Sequence, residues 1–563
     1  MRYRLTQTIE STDEDTTIVN KKYVDDVKAY LEKLIGKTTE KTYLIGAISN
    51  KSITVEDNSV SLKWSDPSDI IVDDTAKVTW SHTIIVKKNG SIPTSPSDGT
   101  VVVDSTTRDQ YSIDAYVDTQ ENPEGWYYRA FPYQESGEYN TEIGNIFYQK
   151  SIVYGFSINQ NNDNEETCVS YIAGCDNENY EKAYMDFEND KWEWGSWKGA
   201  FFMPKPCMLK YDGTVDYYLD PDDYTKKEDG TASDIYNMDY EGNAMMQFPK
   251  MYYKASIDAS NTVISIYISD TKSDNDYECF SCLKSDGTYN DYFYVAIYEG
   301  YAEEVGTNQY RLRSMCPQEG VNASSGATIS NCRAAALNNG SGWDIDVLSD
   351  YEHIRVLAVL MCKRLNFRKA VSCGVYNNGN HNKIGIGNAL GMFYGKESSS
   401  QLNEFNVKFF GIENLWGNYW RFLLGIKFIQ QHHYIKMTKH TGDGSLGTDY
   451  IEDNSDNYST NYIYNGDANL GTGTGCVSKM IGYTMNGTQK YSVVFLPKNY
   501  TANATYETYY CSYLSAAWGA NMVTAFGGVN SDISDSGLFS IVLSLYSNTT
   551  SNDVIASLTY RNE

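Results

Sequence analysis

The apolar positions near the start of the chain predict a short helix. Four of them are spaced three, four and three residues apart, which is the spacing of a coiled-coil seam. These positions are Val24, Val27, Leu31 and Leu34. A helix this short is marginal by itself, so we expect it either to associate with copies of itself or to dock on another protein. The spacing fits two strands as well as three, and we expect a homotrimer.

From residue 42 to residue 150 the pattern changes to alternation, which predicts short β-strands. Val60, Leu62 and Trp64 alternate with Ser and Lys, and Asn89-Gly90 is a strong signal for a hairpin turn. A series of short strands with an early Trp and a late aromatic strand predicts a β-sandwich. The order of these features resembles a fibronectin type III module. Such modules are usually spacers, and we assign this one no chemistry.

The clearest helix is predicted between residues 344 and 367, where apolar residues recur at intervals of four and three along one helical face. Ser349 followed by Glu352 has the spacing of a capping box, so we expect the regular helix to start near Ser349. His353 lies on this helix beside an apolar residue. We interpret it as a structural histidine.

The segment 409–420, Phe-Phe-Gly-Ile-Glu-Asn-Leu-Trp-Gly-Asn-Tyr-Trp, is the densest in large apolar side chains. Such rings dominate the energetics of a core, so we expect this segment to be the centre of a compact domain. Polar groups inside such a segment need partners, and we expect Glu413 and Asn414 to be hydrogen-bonded to backbone. The predicted structural core comprises Trp343, Phe410, Trp416 and Trp420.

Near the end of the chain, strict alternation predicts a strand with two different faces. The face predicted to meet the core carries Phe539, Ile541, Leu543 and Leu545. The opposite face carries Ser540, Val542, Ser544 and Tyr546. The residues from 555 to 561 predict a last strand that ties the end of the chain into a sheet.

Composition excludes some functions and favours others. The 563 residues carry a formal net charge of −27, which argues against nucleic-acid binding because phosphate contacts need clustered Lys and Arg. No run of apolar residues is long enough to insert into a membrane, and the first residues lack the apolar core of a secretory signal. The 49 Tyr residues with abundant Gly, Asn and Ser are typical either of adaptable binding surfaces or of a Tyr-rich fibre.

Candidate catalytic and metal-binding residues are sparse. Cys279 and Cys282 form a C-x-x-C pair, yet no second pair completes a zinc site and the context is not thioredoxin-like. The pair His432-His433 lacks carboxylate neighbours, and the chain has no P-loop, H-E-x-x-H or G-x-S-x-G motif. We therefore expect no enzymatic activity, no cofactor and no bound metal, and free thiols in a reducing cytosol.

The C-terminal half resembles the C-type lectin-like domains of phage tail and fibre proteins. The resemblance covers 245–563 and rests on Gly342-Trp343 before a helix, the segment 409–420 and the ending Leu-Thr-Tyr-Arg. Residues 19–25 are similar to phage fibre sequences near their attachment to the particle. This fold is related to formylglycine-generating enzymes, but fold does not transfer chemistry. The reactive cysteine pair of those enzymes has no counterpart near the C-terminus here.

These patterns and the resemblance together predict a mixed, β-rich multidomain protein. Residues 1–41 are expected to form an anchor with the short helix, and 42–150 the fibronectin III-like sandwich. Residues 151–244 are expected to be a β-rich connection, either separate from or part of the next domain. Residues 245–563 are expected to form an α+β C-type lectin-like domain that binds the ligand.

In some phages such domains are the targets of diversity-generating retroelements, whose exposed C-terminal positions form the ligand surface. The resemblance therefore implies a ligand-binding set at Trp518, Asn521, Val529, Asn530, Ser531, Ser540, Val542, Ser544, Tyr546 and Asn548. We expect a virion protein, made in the host cytoplasm, that holds other virion proteins through its N-terminus and binds a host cell-surface glycan or protein. The alternatives are a structural virion component and a bacterial surface adhesin.

Overall fold

The structure is a computed structural model that describes residues 43–562, apart from the gaps given at the end of this paragraph. Strands dominate these residues, so the predicted β-rich multidomain class is confirmed. None of the helices within the described ranges combines the length and the apolar character needed to cross a lipid bilayer. The gaps are 57, 73–74, 121–125, 148–151, 273, 318–322, 373, 375–380, 397–406, 430–431, 438–462, 466–472, 481–483, 487–488, 492–493, 503–512, 517–521 and 529–535.

The predicted coiled-coil seam lies outside the described residues. Val24, Val27, Leu31 and Leu34 all precede residue 43. The helix, its partner and the homotrimer therefore stay predictions.

The first group of strands forms two sheets around one apolar cluster, and a separate two-stranded sheet. The first two have the orders β1-β2-β7 and β6-β5-β8-β9, and the third pairs β3 with β4. Val60, Leu62 and Trp64 on β2 are fully buried, which confirms the predicted alternation. The strands are β1 (Ser49–Glu56), β2 (Ser59–Ser65), β3 (Ile70–Val72), β4 (Thr75–Val78), β5 (Trp80–Asn89), β6 (Thr100–Ser105), β7 (Tyr116–Thr119), β8 (Trp126–Gln134) and β9 (Ile146–Phe147).

Several of the next strands belong to a seven-stranded sheet that also contains the C-terminal strand. Their bounds are β10 (Val153–Asn159), β11 (Val169–Tyr171), β12 (Tyr184–Asp186), β13 (Lys191–Glu193), β14 (Lys205–Lys210), β15 (Val215–Asp220), β16 (Asp223–Lys227), β17 (Gly242–Pro249), β18 (Tyr252–Ile257), β19 (Val263–Ser269) and β20 (Tyr292–Ala296). The hairpin β21 (Tyr301–Gly306) and β22 (Gln309–Arg313) follows, and then β23 (Trp343–Ile345).

The C-terminal part adds short strands and a nine-stranded sheet. Their bounds are β24 (Lys408–Phe409), β25 (Ile412–Glu413), β26 (Trp420–Ile429), β27 (His432–Ile435), β28 (Ile463–Asn465), β29 (Gly473–Met480), β30 (Thr484–Asn486), β31 (Gln489–Tyr491), β32 (Pro497–Ala502), β33 (Tyr513–Ala516), β34 (Met522–Phe526), β35 (Ile541–Tyr546), β36 (Val554–Ile555) and β37 (Leu558–Tyr560).

The last strand closes the seven-stranded sheet, whose order is β16-β15-β14-β17-β20-β37-β23. Tyr560 on β37 pairs with Tyr294 on β20 and with Trp343 on β23. The predicted last strand is thus confirmed. The expected boundary at residue 244 falls inside β17, and the strands on both sides of it share this sheet.

The predicted long helix is present but starts and ends inside the expected range. The structure has three α-helices among its described residues: α1 (Ile329–Leu337), α2 (Leu348–Cys362) and α3 (Phe367–Ala370). Every residue of α2 is buried, and its N-cap is Val347, which has no side-chain cap. The predicted capping box is therefore wrong. The Glu352 carboxylate instead accepts hydrogen bonds from the Val494 and Phe495 amides at 3.1 and 3.2 Å.

The aromatic segment 409–420 is buried, as predicted. Trp416 and Phe410 are fully buried, and Trp343 and Trp420 are only 1% and 7% exposed. Gly411 has a φ of +76°, and a Cβ there would come within 2.4 Å of the Tyr224 hydroxyl. The segment can pass this close to its neighbours only with glycine at that position.

We expect Trp416→Ala to lower the free energy of unfolding by about 3–5 kcal/mol, because it removes a fully buried ring. The ring also donates a 3.0 Å hydrogen bond from Nε1 to the Ser372 carbonyl. Thermal denaturation followed by circular dichroism measures the loss. The control is Tyr184→Ala at a ring that is 45% exposed; equal losses in the two variants would contradict the central position of Trp416.

Candidate ligand-binding surface

The ten predicted ligand-binding residues divide into two groups. One group lies outside the described residues: Trp518, Asn521, Val529, Asn530 and Ser531. The other group lies on β35 or beside it and comprises Ser540, Val542, Ser544, Tyr546 and Asn548. Only the second group belongs to the described residues.

Strand β35 lies inside the nine-stranded sheet, between parallel β33 and antiparallel β34. The face predicted to be open is covered where the strand begins. Ser540 is fully buried and Val542 is 8% exposed. Val542 packs in an apolar cluster that includes Trp420 and Phe422, because the sheet has a core on both sides at this point. The assignment of Ser540 and Val542 to an exposed ligand surface is therefore wrong.

The far end of β35 does reach the surface. Ser544 is half-buried, while Tyr546 is 54% exposed and Asn548 is exposed. A tight turn holds this end: the Tyr546 amide donates to Thr549 Oγ1 and the Thr549 amide donates to the Tyr546 carbonyl, both at 2.9 Å. Leu545, predicted to face the core, is only half-buried. We call Ser544, Tyr546 and Asn548 the Tyr546 surface.

The Tyr546 surface combines a ring with hydroxyl and amide groups. Ser544 Oγ lies 3.3 Å from Ser515 Oγ on the neighbouring strand β33, so two hydroxyl groups lie side by side. A Tyr ring supplies contact area with little loss of side-chain entropy, and hydroxyl and amide groups supply hydrogen bonds. This chemistry suits a polar ligand such as a glycan or a protein loop.

A second polar group joins Asp553, in the connection that follows β35, to His381 and Tyr419. The His381 ring stacks on Tyr419 with centroids 3.5 Å apart, and its Nε2 is 3.4 Å from the Asp553 carboxylate. His381 Nδ1 also lies 2.8 Å from the Asn418 carbonyl. Burial lowers the pKa of His381, although the Asn418 carbonyl and Asp553 act in the opposite direction. The sequence analysis missed this group because its members are far apart in the chain and no local motif joins them.

The buried side chain of Glu299 holds the side chain of Asn418 in position. Glu299 Oε2 accepts hydrogen bonds from the side-chain amides of Asn414 at 2.9 Å and Asn418 at 2.7 Å. Glu299 is 1% exposed, and this burial raises its pKa to about 8. Asn414 thus bonds through its side chain to a carboxylate rather than to backbone, which corrects the prediction for this residue.

Glu413 follows the prediction. Its two carboxylate oxygens accept hydrogen bonds from the backbone amides of Gly385 and Gly387 at 2.8 and 2.9 Å. Lys408 is buried beside it, donates to the Gly387 carbonyl at 2.9 Å and lies 3.5 Å from the centroid of the Tyr224 ring. Burial lowers the pKa of Lys408 to about 7. These contacts hold the loop 384–391 against the aromatic segment.

The described residues contain no group of three or more His, Cys, Asp or Glu side chains arranged to hold a metal ion. His353, interpreted as structural, is buried on α2 with Phe293 edge-on at 4.8 Å. A scan against family models matches no family, and a search of curated proteins finds no relative of this chain.

Charge substitutions on the two halves of β35 should separate buried from exposed positions. We expect Val542→Lys to lower the free energy of unfolding by more than about 3 kcal/mol, because it buries an unpaired charge. Tyr546→Lys should change it by about 0.5 kcal/mol or less, as is usual for surface positions. Chemical denaturation followed by circular dichroism measures both; a tolerated Val542→Lys would mean that this face is open.

Glu299 should make stability depend on pH. Its folded pKa is about 8 against an ordinary value of 4.5, so the folded state binds more protons between these values and stability falls as pH rises through this window. We expect the melting temperature of Glu299→Gln to fall less than that of the wild type between about pH 5 and about pH 8. The control is Glu304→Gln at an exposed carboxylate, and identical pH profiles for wild type and Glu299→Gln would contradict the assignment.

Proposed function

We propose that this chain is a phage virion protein of the fibre or tail type that binds a host cell-surface ligand through its C-terminal region. In this proposal residues 42–150 are a fibronectin III-like spacer. Residues 245–563, together with the strands of 151–244 that share their sheet, are a C-type lectin-like domain. The N-terminal residues attach the chain to other virion proteins, and three copies associate. The protein has no catalytic role.

The observation that carries the proposal is the exposed end of β35 on a rigid base. The aromatic segment 409–420 is buried, and its Trp420 shares an apolar cluster with Val542 near the start of β35. Strand β37 fastens the C-terminus to β20 and β23. Loops and strand ends on such a scaffold are where binding residues concentrate. The Tyr546 surface is thus held in place by the scaffold, although its own side chains are not part of the core.

The chemistry of the whole chain supports the same function. A net charge of −27 keeps copies soluble at the high local concentration of a particle. Several copies on one particle bind together, so that each single contact can be weak. A glycan or protein ligand on the host surface fits both the polar character of the Tyr546 surface and such multivalent binding.

A structural role is the second candidate, and one observation favours it. A Tyr ring that is 54% exposed in a single chain is also suited to contact between neighbouring virion proteins, where Tyr is enriched. In that case the Tyr546 surface is covered in the assembled particle. The two candidates differ in whether the isolated full chain binds host cells.

The test is binding of the labelled, full-length chain to host cells, compared with Tyr546→Ala and Asn548→Ala. We expect Tyr546→Ala to weaken binding about tenfold or more, as for an aromatic hot spot, without a change in melting temperature. The matched control is Tyr184→Ala, which removes an equally exposed ring from a different part of the chain. Absence of binding by the full chain, while intact particles adsorb, would favour the structural role.

A further inference from the structure

The two cysteines of the C-x-x-C sequence are brought together by a tight turn. The Cys282 amide donates a 3.1 Å hydrogen bond to the Cys279 carbonyl, which closes a four-residue β-turn. In such a turn the first and last Cα atoms are less than about 7 Å apart. This separation overlaps the range that a disulfide spans. Both thiols are free and fully buried in this structure.

The backbone on both sides of the turn is held in place. Tyr253 and Glu278 exchange two backbone hydrogen bonds at 3.0 and 3.1 Å, immediately before Cys279. The Asn290 amide donates to the Cys282 carbonyl at 2.8 Å. The two sulfurs therefore remain neighbours and do not depend on a chance encounter between mobile loops.

The environment makes the two thiols unequal. Burial by itself raises the pKa of Cys279, but the Cys282 thiol and the His353 ring outweigh burial and lower the pKa of Cys279 below its ordinary value. Burial and the neighbouring Cys279 raise the pKa of Cys282. Thiolates are the nucleophiles in thiol–disulfide exchange. Cys279 is thus the thiol of the pair that loses its proton more readily.

Among the described residues, Cys207, Cys316 and Cys332 are also buried but lack a neighbouring cysteine in a turn. Burial raises the pKa of Cys207, and it raises the pKa of Cys316 and of Cys332 to about 12. Such thiols are poorly reactive because little thiolate forms. They provide internal controls for any reaction at the pair.

We propose that Cys279 and Cys282 are a redox-active dithiol that a small-molecule disulfide, such as oxidised glutathione, converts to an intramolecular disulfide. The Cys279 thiolate attacks one sulfur of the oxidant and releases one thiol. Cys282 then loses its proton, attacks Cys279 Sγ in the mixed disulfide and releases the second thiol. The two cysteines lose two electrons and two protons, which end on the two thiols of the reduced oxidant. This inference is independent of the ligand-binding proposal.

The full burial of both sulfurs has a kinetic consequence. The oxidant reaches Cys279 only when the turn 279–282 opens locally, so the reaction is limited by that opening. Once formed, the disulfide is shielded from reductant by the same packing. We therefore expect the disulfide to form slowly and to be reduced slowly while the chain is folded.

The test is peptide mass spectrometry of the full-length chain after incubation with oxidised glutathione, followed by denaturation and alkylation. We expect the peptide with Cys279 and Cys282 to lose two hydrogens and to escape alkylation, while Cys207 and Cys332 are alkylated. Dithiothreitol should restore both thiols. Full alkylation of Cys279 and Cys282, or a disulfide from either one to another cysteine, would overturn the proposal.

Two variants separate the roles of the thiols. Cys282→Ser should trap the intermediate as a mixed disulfide of glutathione on Cys279, because the second attack is removed. Cys332→Ser is the matched control and should leave the Cys279–Cys282 disulfide unchanged. If Cys282→Ser does not fold, the wild-type mapping still decides the proposal. A folded Cys282→Ser that carries no glutathione on Cys279 would overturn it.

Discussion

The buried carboxylate of Glu299 is the contact on which the C-terminal architecture depends. It accepts hydrogen bonds from the amides of Asn414 and Asn418, and these lie on either side of Trp416 in the aromatic segment. A buried carboxyl group is costly unless it is hydrogen-bonded. The bonds from Asn414 and Asn418 add to the ring packing and to the hydrogen bonds of Trp416 and Glu413 that hold the same segment. Through Asn418 the same contact extends to Asn382, whose amide donates to Asn418 Oδ1 at 2.8 Å.

The second constraint is topological, because the end of the chain completes a sheet begun more than 300 residues earlier. Strand β37 lies between β20 and β23, and Thr559 donates a 2.8 Å hydrogen bond to the Asp350 carboxylate on α2. Helix α2, the seven-stranded sheet and the C-terminus therefore stabilise one another. Strand pairings this distant in sequence form slowly, because the entropy of closing the long loop is lost before the contacts are made.

These two constraints explain why the exposed part of β35 is short. The first half of β35 is covered on both faces. Ile541 packs in one apolar cluster and Val542 packs in the other. Beyond Leu543 the covering layers end and the strand reaches solvent at Tyr546. The exposed surface at this edge is small and continues directly from a buried strand.

The sequence by itself determined the periodic elements. The alternation at Val60, Leu62 and Trp64, the core of α2 and the burial of Trp416 follow from local spacing and from ring size, which act whatever the rest of the chain does. Tertiary structure alone decided that Val542 is buried, that Glu299 meets Asn418, and that Cys279 lies beside His353. Alternation separates the two faces of a strand, but whether one or both are covered depends on which distant residues pack there, and no local pattern encodes that.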